Sequence, residues 1–261
     1  MNNIIVRILI IILLSSCSTT GPKNNNTNNL TINWNSESGI KMLDRSVYKQ
    51  DFYQLANFFQ PQINPLYCGI ASAVIVLNAI NFDNNISSQK ELEVEKPEIF
   101  GGGIIKFKSH SQLTLLNHET ELIKKEEVIS LKNINDHKDK IDPGLTLDQL
   151  QDILELYNLD VKKYHAQKYS KQEVNFFRKK VKNITKEQEK YILVNFNGKS
   201  LGLETGGHIS PLAAYDEKSD SVLIMDVAGH KNGWYWVKIT DLLKSMNSMD
   251  GDNYRGYLVV R

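Results

Sequence analysis

The sequence predicts an α+β protein, with helices in its N-terminal half and a mostly antiparallel sheet in its C-terminal half. After a proline-bearing turn near residue 65, apolar residues recur at steps of three and four up to residue 80, which indicates a buried helix. From residue 191 onward, short runs rich in β-branched and aromatic residues alternate with turn residues, which is typical of strands joined by hairpins. Helices and strands segregated in this way favour two packed layers with a cleft between them.

Further helices are indicated by capping signals and apolar faces. Residues 46–60 place Phe52, Leu55, Phe58 and Phe59 on roughly one helical face. Thr146-Leu-Asp-Gln149 has the form of a capping box, and residues 170–173 repeat that form before a second apolar face. Thr240 is predicted to cap a last short helix.

The strands are predicted from short β-rich runs that turn residues interrupt. Residues 216–220 are expected to form a hairpin connection between two of these strands. The predicted strands cover residues 161–166, 191–196, 208–215, 221–227, 234–237 and 256–260.

The first 40 residues do not resemble the rest of the chain. Residues 1–16 carry one charged side chain and a short apolar core, and they end in Leu-Ser-Ser before Cys17, which resembles the lipobox of bacterial lipoproteins. That resemblance implies cleavage before Cys17, a lipid on its thiol, and a protein anchored in the bacterial cell envelope and facing the periplasm or exterior. An ordinary signal peptide is the alternative. Residues 17–40, rich in Asn, Thr and Ser, are expected to be a flexible tether, and residues 41–261 one globular domain.

Charge and cysteine usage narrow the classes of function. The 31 basic and 30 acidic residues are balanced and no basic block stands out, so nucleic acid is not an expected partner. With Cys17 lipidated, Cys68 is the second and last cysteine, and no intramolecular disulfide can form. Exported proteins usually pair their cysteines, so an unpaired one is a candidate reactive thiol. A buried structural cysteine is the alternative interpretation.

The position of Cys68 favours chemistry. Pro65 disfavours helix at the residue before it, so Cys68 is expected in the first turn of the helix that follows. Free amides and the positive end of the helix dipole stabilise a thiolate there. Gln62, six residues earlier, is a candidate donor to an oxyanion that forms beside those amides.

A thiol nucleophile needs a base and a group that orients the base, and His208 and Asp226 fit these roles. His208 follows Cys68 by 140 residues, within the gap of about 130–150 residues that papain-like enzymes show. Asp226 closes an apolar strand, and a hairpin turning at residues 216–221 would bring it next to His208. Zinc binding by the same three types of side chain is the alternative. Paired metal-ligand spacings are absent from the sequence, and the other histidines are scattered, so no metal ligands are predicted.

These residues lie in motifs that resemble the phytochelatin synthase family, in its short bacterial form. The resemblance covers about residues 46–261 and implies a papain-like fold, with Cys68 as nucleophile, His208 as base, Asp226 as its orienter and Gln62 as oxyanion donor. It also implies that four residues contact the acyl group: Asn195, Gly207, Asp250 and Arg255. The matching motifs are NPLYCG (64–69), VLNA (76–79), GGHISPLAAY (206–215), LIMDV (223–227), WVKITDLL (236–243) and RGY (255–257).

The resemblance also implies a reaction. Family members attack the Cys–Gly bond of glutathione, release glycine and form a γ-glutamylcysteinyl thioester, which passes to water or to a second glutathione. Gly229 stands where family members often carry arginine, and the cysteine-rich region of eukaryotic members does not follow Arg261, so hydrolysis is expected to dominate. Phytochelatin synthesis by transpeptidation is the alternative, followed by a general papain-like peptidase and a non-catalytic lipoprotein that binds thiol peptides or metal.

The expected partners follow from the same resemblance. Glutathione or other γ-glutamyl thiol peptides are the expected ligands, and the N-terminal lipid would provide the contact with the membrane. No cofactor is expected to be required, and heavy-metal ions such as Cd or Zn would enter as glutathione thiolates. A homodimer is compatible with the resemblance.

Overall fold

The computed structural model describes residues 30–84, 92–107, 109–125, 129, 144–187 and 189–261. The predicted leader, Cys17 and the first part of the tether lie outside the described residues, so those assignments stay predictions. The described residues contain six α-helices: α1 (Glu37–Arg45), α2 (Gln50–Asn57), α3 (Cys68–Asn84), α4 (Leu147–Leu156), α5 (Lys171–Ile184) and α6 (Ile239–Met246). None of the helices in these ranges is both long and apolar enough to cross a bilayer.

The centre of the described fold is a seven-stranded sheet in which every neighbouring pair of strands is antiparallel, with the order β1-β8-β7-β6-β5-β11-β4. Two hairpins, β2–β3 and β9–β10, lie outside it. The strands are β1 (Thr31–Asn33), β2 (Leu92–Glu95), β3 (Ile104–Phe107), β4 (Val161–His165), β5 (Tyr191–Asn197), β6 (Gly207–Asp216), β7 (Ser221–Ile224), β8 (Tyr235–Lys238), β9 (Met249–Asp250), β10 (Asn253–Tyr254) and β11 (Gly256–Val260).

Apolar side chains cover both faces of the sheet. Helices α1 to α4 pack on one face, where Leu193 and Ile209 point, and α5 and α6 pack on the other face against Ile192 and Phe196. Neighbouring residues of one strand therefore enter different cores, as the alternation of side chains along a strand requires. The α+β prediction of helices packed on a mostly antiparallel sheet is confirmed, with helices on both faces rather than in one lobe.

From Cys68 to Ile80, helix α3 is buried on all sides. Residues 70–80 are all buried, and the hydroxyl of Ser72 donates a hydrogen bond to the carbonyl of Ile209, 3.1 Å away on β6. Gly69 permits a close approach between α3 and Leu145, because an added Cβ would lie 3.1 Å from a methyl group of Leu145. A helix that is apolar on all sides is stable only inside a core. The first residue of α3 is thus fixed against the central strand β6.

The folded region begins earlier than the sequence predicted. Residues 31–40, the last part of the segment 17–40 that was assigned to a flexible tether, belong to the fold. Strand β1 pairs with β8 at the edge of the sheet, and α1 begins at Glu37, capped by the Ser36 hydroxyl, which accepts from the Gly39 amide at 3.1 Å. A three-residue strand has no detectable periodicity, and its partner strand lies about 200 residues away in the sequence.

The capping predictions have mixed outcomes. The capping box of Thr146 and Gln149 is present in full, and the Ser170 hydroxyl caps α5 by accepting from the amide of Glu173. The prediction for Thr240 is wrong, because α6 begins at Ile239 with Lys238 at its cap and no capping side chain. Helix α6 is instead held by its buried face, which includes Leu242, Leu243 and Met246.

Candidate active site

Cys68 is the first residue of α3, as its position after Pro65 predicted. The turn before it is held by Asn64, whose side-chain oxygen accepts from the Leu66 amide at 3.0 Å and whose carbonyl accepts from the Tyr67 amide at 2.9 Å. Cys68 is 9% exposed, and the backbone amides of Gly69 and Ile209 contribute to lowering the pKa of its thiol. The thiol therefore lies at a helix N-terminus among donors that favour its anionic form.

His208 and Asp226 are brought together by the β6–β7 hairpin. His208 is the second residue of β6 and Asp226 follows the end of β7, and the pairing of these strands places Leu212 opposite Ile224 near the site. His208 Nε2 donates to Asp226 Oδ1 over 2.7 Å, and both side chains are buried. The His208 ring also interacts with the Cys68 thiol on the other side of the site. Cys68, His208 and Asp226 thus form one chain of interacting side chains.

The surroundings of Cys68 and His208 favour a thiolate on the first residue and an imidazolium on the second. Burial by itself would raise the pKa of the Cys68 thiol, but the hydrogen bond and charge of His208, with the two backbone amides, lower that pKa below its ordinary value. Burial would lower the pKa of His208, but the charge and hydrogen bond of Asp226 and the contact with Cys68 raise it. The Cys68 thiol is therefore stabilised in its deprotonated form, which is the form in which a thiol reacts as a nucleophile.

Asp226 is held by donors in addition to His208. Its Oδ1 accepts from the Ala228 amide at 2.8 Å and its Oδ2 accepts from the side-chain amide of Asn232 at 3.2 Å. The Ser210 hydroxyl lies 3.1 Å from His208 Nε2 and accepts from the Val227 amide. A buried carboxylate needs such donors to remain charged. The roles of Asn232 and Ser210 were not predicted from the sequence, because no spacing rule marks residues that act only through Asp226 and His208.

Gln62 is hydrogen-bonded to the segments around Cys68 and Asp226, although it does not line the cleft that contains Cys68. Its backbone amide donates to the carbonyl of Val227 at 2.9 Å, and its side-chain amide donates to the carbonyl of Asn64 at 2.9 Å. That side chain has a second amide hydrogen. Among the described residues its Oε1 has no hydrogen-bond partner. The role of Gln62 as an oxyanion donor stays a prediction.

Three of the four residues expected to contact an acyl group form a closed polar triangle. Arg255 donates from Nη1 to Asn195 Oδ1 at 2.7 Å and pairs through Nη2 with Asp250 Oδ1 at 2.9 Å, and Asn195 Nδ2 donates to Asp250 Oδ2 at 2.7 Å. Gly207 lies under the guanidinium, where an added Cβ would be 2.7 Å from Nη2. The structure thus brings all four residues together.

The triangle and the thiol line one cleft of about 230 Å³. Its walls are formed by Pro65, Leu66, Cys68, Gly144, Leu145, Asn195, Gly207, His208, Ile209, Asp250 and Arg255. The cleft therefore combines a thiol with a cation and a carboxylate. Such a cleft suits a small ligand that carries both charges.

The described residues contain no candidate metal centre. In this part of the chain no three side chains of His, Cys, Asp or Glu come together as metal ligands would. The expectation that no metal is required for the chemistry stays a prediction.

A cysteine at a helix N-terminus, beside a histidine that faces a buried aspartate, is the arrangement that thiol-dependent acyl transfer requires. The phytochelatin synthase family model matches residues 23–257, so the chain belongs to the phytochelatin synthase family.

Curated relatives carry names that agree with this family. The chain is 26% identical over 235 residues to glutathione gamma-glutamylcysteinyltransferase 1 of Arabidopsis thaliana, covering 88% of this chain and 41% of the relative. It is 24% identical over 213 residues to glutathione gamma-glutamylcysteinyltransferase 3 of Lotus japonicus, covering 81% and 37%. A shorter match, 34% identical over 86 residues, covers 32% of this chain and 21% of the Schizosaccharomyces pombe glutathione gamma-glutamylcysteinyltransferase. The chain spans well under half the length of these relatives.

Proposed function

We propose that this protein is a cysteine-dependent enzyme that cleaves the Cys–Gly bond of glutathione or its conjugates through a γ-glutamylcysteinyl thioester. The observation that carries the proposal is a single cleft with the Cys68–His208–Asp226 chain beside the Asn195–Asp250–Arg255 triangle. Membership in the phytochelatin synthase family and the names of the curated relatives support glutathione as the substrate.

The first half of the reaction forms the acyl-enzyme. The Cys68 thiolate attacks the carbonyl carbon of the Cys–Gly peptide bond, and the oxyanion that forms accepts from the Cys68 amide, which has no acceptor within its helix. Gln62 supplies a second donor when its free amide hydrogen turns toward that oxygen. The His208 imidazolium then donates its proton to the glycine nitrogen, the C–N bond breaks and glycine leaves. Asp226 keeps the ring oriented throughout.

The triangle recognises the γ-glutamyl end of the acyl group. That end carries an α-carboxylate and an α-ammonium group, which match the guanidinium of Arg255 and the carboxylate of Asp250. Arg255 Nε is buried and has no partner among the described residues, so a donor remains for the substrate carboxylate. Gly207 is needed because any side chain there would displace the guanidinium.

Water is the proposed main acceptor of the acyl group. Neutral His208 takes a proton from a water molecule, the hydroxide attacks the thioester carbon, and γ-glutamylcysteine leaves as the Cys68 thiolate is restored. A cleft of about 230 Å³ is small for a donor acyl group and an acceptor peptide together, which favours hydrolysis. Transfer to a second glutathione, giving phytochelatin, is the second candidate, because the curated relatives are named as transferases.

The cellular setting is proposed from the sequence. We propose a protein attached to the bacterial cell envelope by a lipid on Cys17 and facing the periplasm or exterior, with no resident cofactor. Cd or Zn ions would enter as thiolates of glutathione and would therefore be part of the substrate. Metabolic labelling with a lipid precursor, lost in Cys17→Ala, would test the anchor.

The proposed function is tested by products and by the acyl-enzyme. Purified protein incubated with glutathione is expected to release equal amounts of glycine and γ-glutamylcysteine, and intact mass should show a γ-glutamylcysteinyl group on Cys68. Cys68→Ala should reduce turnover to the rate without enzyme, whereas the matched Cys17→Ala variant should retain both turnover and acylation. Unchanged turnover in Cys68→Ala would refute the mechanism.

The same assay separates the alternatives. Oligomers of γ-glutamylcysteine formed with glutathione and Cd²⁺ would overturn the preference for hydrolysis. Cleavage of unrelated peptides with none of glutathione would favour a general papain-like peptidase. Binding of glutathione without turnover or acylation would favour a non-catalytic protein.

A further inference from the structure

A pocket of about 620 Å³, distinct from the cleft that contains Cys68, is lined by helix α2 and by the start of strand β5. The residues from α2 are spaced three and four apart, so they share one side of that helix. The walls of the pocket are formed by Gln50, Asp51, Tyr53, Gln54, Asn57, Glu189 and Tyr191. These residues do not overlap with those that line the Cys68 cleft.

The pocket and the cleft lie at opposite ends of β5. Tyr191 is the first residue of β5 and pairs with Val260 of β11, whereas Asn195, further along the same strand, lines the cleft. At about 3.3 Å per residue, these two positions on β5 are about 13 Å apart. The wall formed by α2 is fixed at its start, where the amide of Gln50 donates to the carbonyl of Thr185 at 3.0 Å. The pocket is thus a separate place in the fold.

The lining of the pocket is acidic. Asp51 and Glu189 contribute two carboxyl groups, and among the described residues that form the walls none is a lysine, an arginine or a histidine. The lysines next to these acids in the sequence are held elsewhere. Lys49 donates to two backbone carbonyls of helix α1, at 2.8 and 3.2 Å, and Lys190 pairs with Glu187 at 2.5 Å. The acids of the pocket are therefore not neutralised by the lysines closest to them in sequence.

Asp51 is the buried acid of the pocket. It is 2% exposed, and neither of its carboxyl oxygens has a hydrogen-bond partner among the described residues. Asp226, which is equally buried, accepts from His208, Ala228 and Asn232. A buried carboxyl group without donors is unfavourable, and a cation at its oxygens would supply both the charge and the N–H groups that it lacks. The contrast points to a partner that the described part of the chain does not supply.

The size and the walls of the pocket favour an organic cation over a metal ion. A volume of about 620 Å³ is typical of pockets for small molecules and far exceeds that of one ion. No cluster of metal-ligating side chains occurs in the ranges that the structure describes. Glu189 and Tyr53 are exposed at the mouth, whereas Tyr191 is buried with Asp51. Phenol rings attract ammonium groups and offer a surface to an alkyl chain.

We propose that this pocket binds a small organic cation with two primary ammonium groups, one paired with Asp51 on the inside and the other with Glu189 at the mouth. The inner ammonium group donates its hydrogens to Asp51 and to carboxamide oxygens of the wall, and the alkyl chain packs on the rings of Tyr53 and Tyr191. Pairing with the ammonium group lowers the pKa of Asp51, and any proton on this carboxyl passes to the solvent. The site is independent of the reaction at Cys68.

Calorimetric titration of the full chain with putrescine, a four-carbon diamine, tests the site. We expect saturable binding of one diamine per chain, weakened at least tenfold by Asp51→Asn and several-fold by Glu189→Gln, which changes an exposed residue. Asp44→Asn removes an exposed carboxylate on α1 outside the pocket, so this matched control should bind like the parent. Failure of the parent to bind putrescine would overturn the proposal, and so would parental affinity in both Asp51→Asn and Glu189→Gln.

Three further probes at the same ionic strength test which chemistry the pocket recognises. Butylamine, with one ammonium group, should bind several-fold more weakly than putrescine, and the uncharged butanediol should not bind. Mg²⁺ should not compete with putrescine. Butanediol binding as tight as that of the diamine would show that charge is not recognised, and competition by Mg²⁺ would show a site for inorganic cations. Either result would overturn the proposal, and equal affinity for butylamine would refute the role of Glu189 as the second anion.

Discussion

The two sides of the cleft are built in different ways. On the reacting side, Cys68, His208 and Asp226 are at most 9% exposed and come from a buried helix and central strands. On the binding side, the side chains of Asp250 and Arg255 are 21% and 13% exposed and belong to a two-residue strand and the residue after a hairpin. Apolar packing fixes the helix and the strands that carry the reacting groups, whereas Asp250 and Arg255 are held by hydrogen bonds and an ion pair. Changes on the first side should therefore act on the rate of chemistry, and changes on the second on substrate affinity.

The largest effect is expected from removing His208. His208→Ala takes away the hydrogen bond and charge that lower the pKa of Cys68, while the burial that raises this pKa remains. Alkylation of Cys68 by iodoacetamide at pH 6.5, followed by peptide mass, should slow by about two orders of magnitude because less thiolate is present. His118→Gln should alkylate at the parental rate. Unchanged alkylation after His208→Ala would mean that the helix N-terminus alone activates the thiol.

A smaller loss is expected from Asp226→Asn. The charge of Asp226 raises the pKa of His208, so its removal lowers that pKa and the imidazolium is lost at lower pH. We expect kcat to fall about tenfold and the alkaline limb of the pH–rate profile to move to lower pH. Asn232→Ala, which removes one donor to the carboxylate, should have a smaller effect. An alkaline limb that does not move would contradict this account of His208.

Gly207→Ala tests the binding side. Its Cβ would lie 2.7 and 2.8 Å from the two Nη atoms of Arg255, so the guanidinium must leave its contacts with Asn195 and Asp250. We expect KM for glutathione to rise about tenfold with little change in kcat, as for a loss of binding shared by ground state and transition state. Gly206→Ala is the control, because nothing lies within 4 Å of the added Cβ. A fall in kcat alone would show that the two sides are not separable.

The smallest effect on activity is expected at Asp51, a buried carboxylate that contrasts with Asp226. It is 2% exposed, and neither of its oxygens has a partner among the described residues. Burial raises its pKa well above the ordinary value. The folded protein then holds a proton that the unfolded chain releases, so stability is full below the unfolded pKa and declines as the pH rises toward the folded pKa.

Asp51→Asn removes this titration. The melting temperature at pH 8 should rise by a few degrees, as about 1 kcal/mol shifts the midpoint of a chain of this size by 2–4 °C. At pH 4 the variant and the parent should differ less, and turnover should be unchanged at both pH values. A melting temperature of Asp51→Asn below that of the parent at pH 8 would show that an interaction in the folded state stabilises the Asp51 carboxylate.

The sequence predicted the reacting side more completely than the binding side. Helix α3, the strands around His208 and the hairpin before Asp226 each leave a local pattern of apolar residues, turn formers or glycines, so their order and pairing can be inferred. The contacts of Asn195, Asp250 and Arg255 were anticipated only through the family resemblance. Asn195 lies 55 positions before Asp250 and 60 positions before Arg255. No periodicity in the sequence connects residues that are so far apart.

Several features had no local signal. Strand β1 is too short to show a pattern, and Asn232 and Ser210 act only through contacts with Asp226 and His208. His165 was noted in the sequence only as one of several scattered histidines. Its ring lies beside Asp148 on α4 and the carbonyl of Tyr254 on β10, which are 17 and 89 residues away.

The sequence by itself determined which residues can react: a thiol at the start of an apolar helix, with a histidine and an aspartate on consecutive strands. It did so because helix starts, strand alternation and hairpin turns are properties of neighbouring residues. Only the tertiary structure decided how these groups are charged and what surrounds them. Burial, the approach of Asp226 to His208 and the enclosure of Arg255 by Asn195 and Asp250 depend on contacts between distant segments. Those contacts set the pKa of the thiol and the shape of the acyl site, which no stretch of the chain specifies alone.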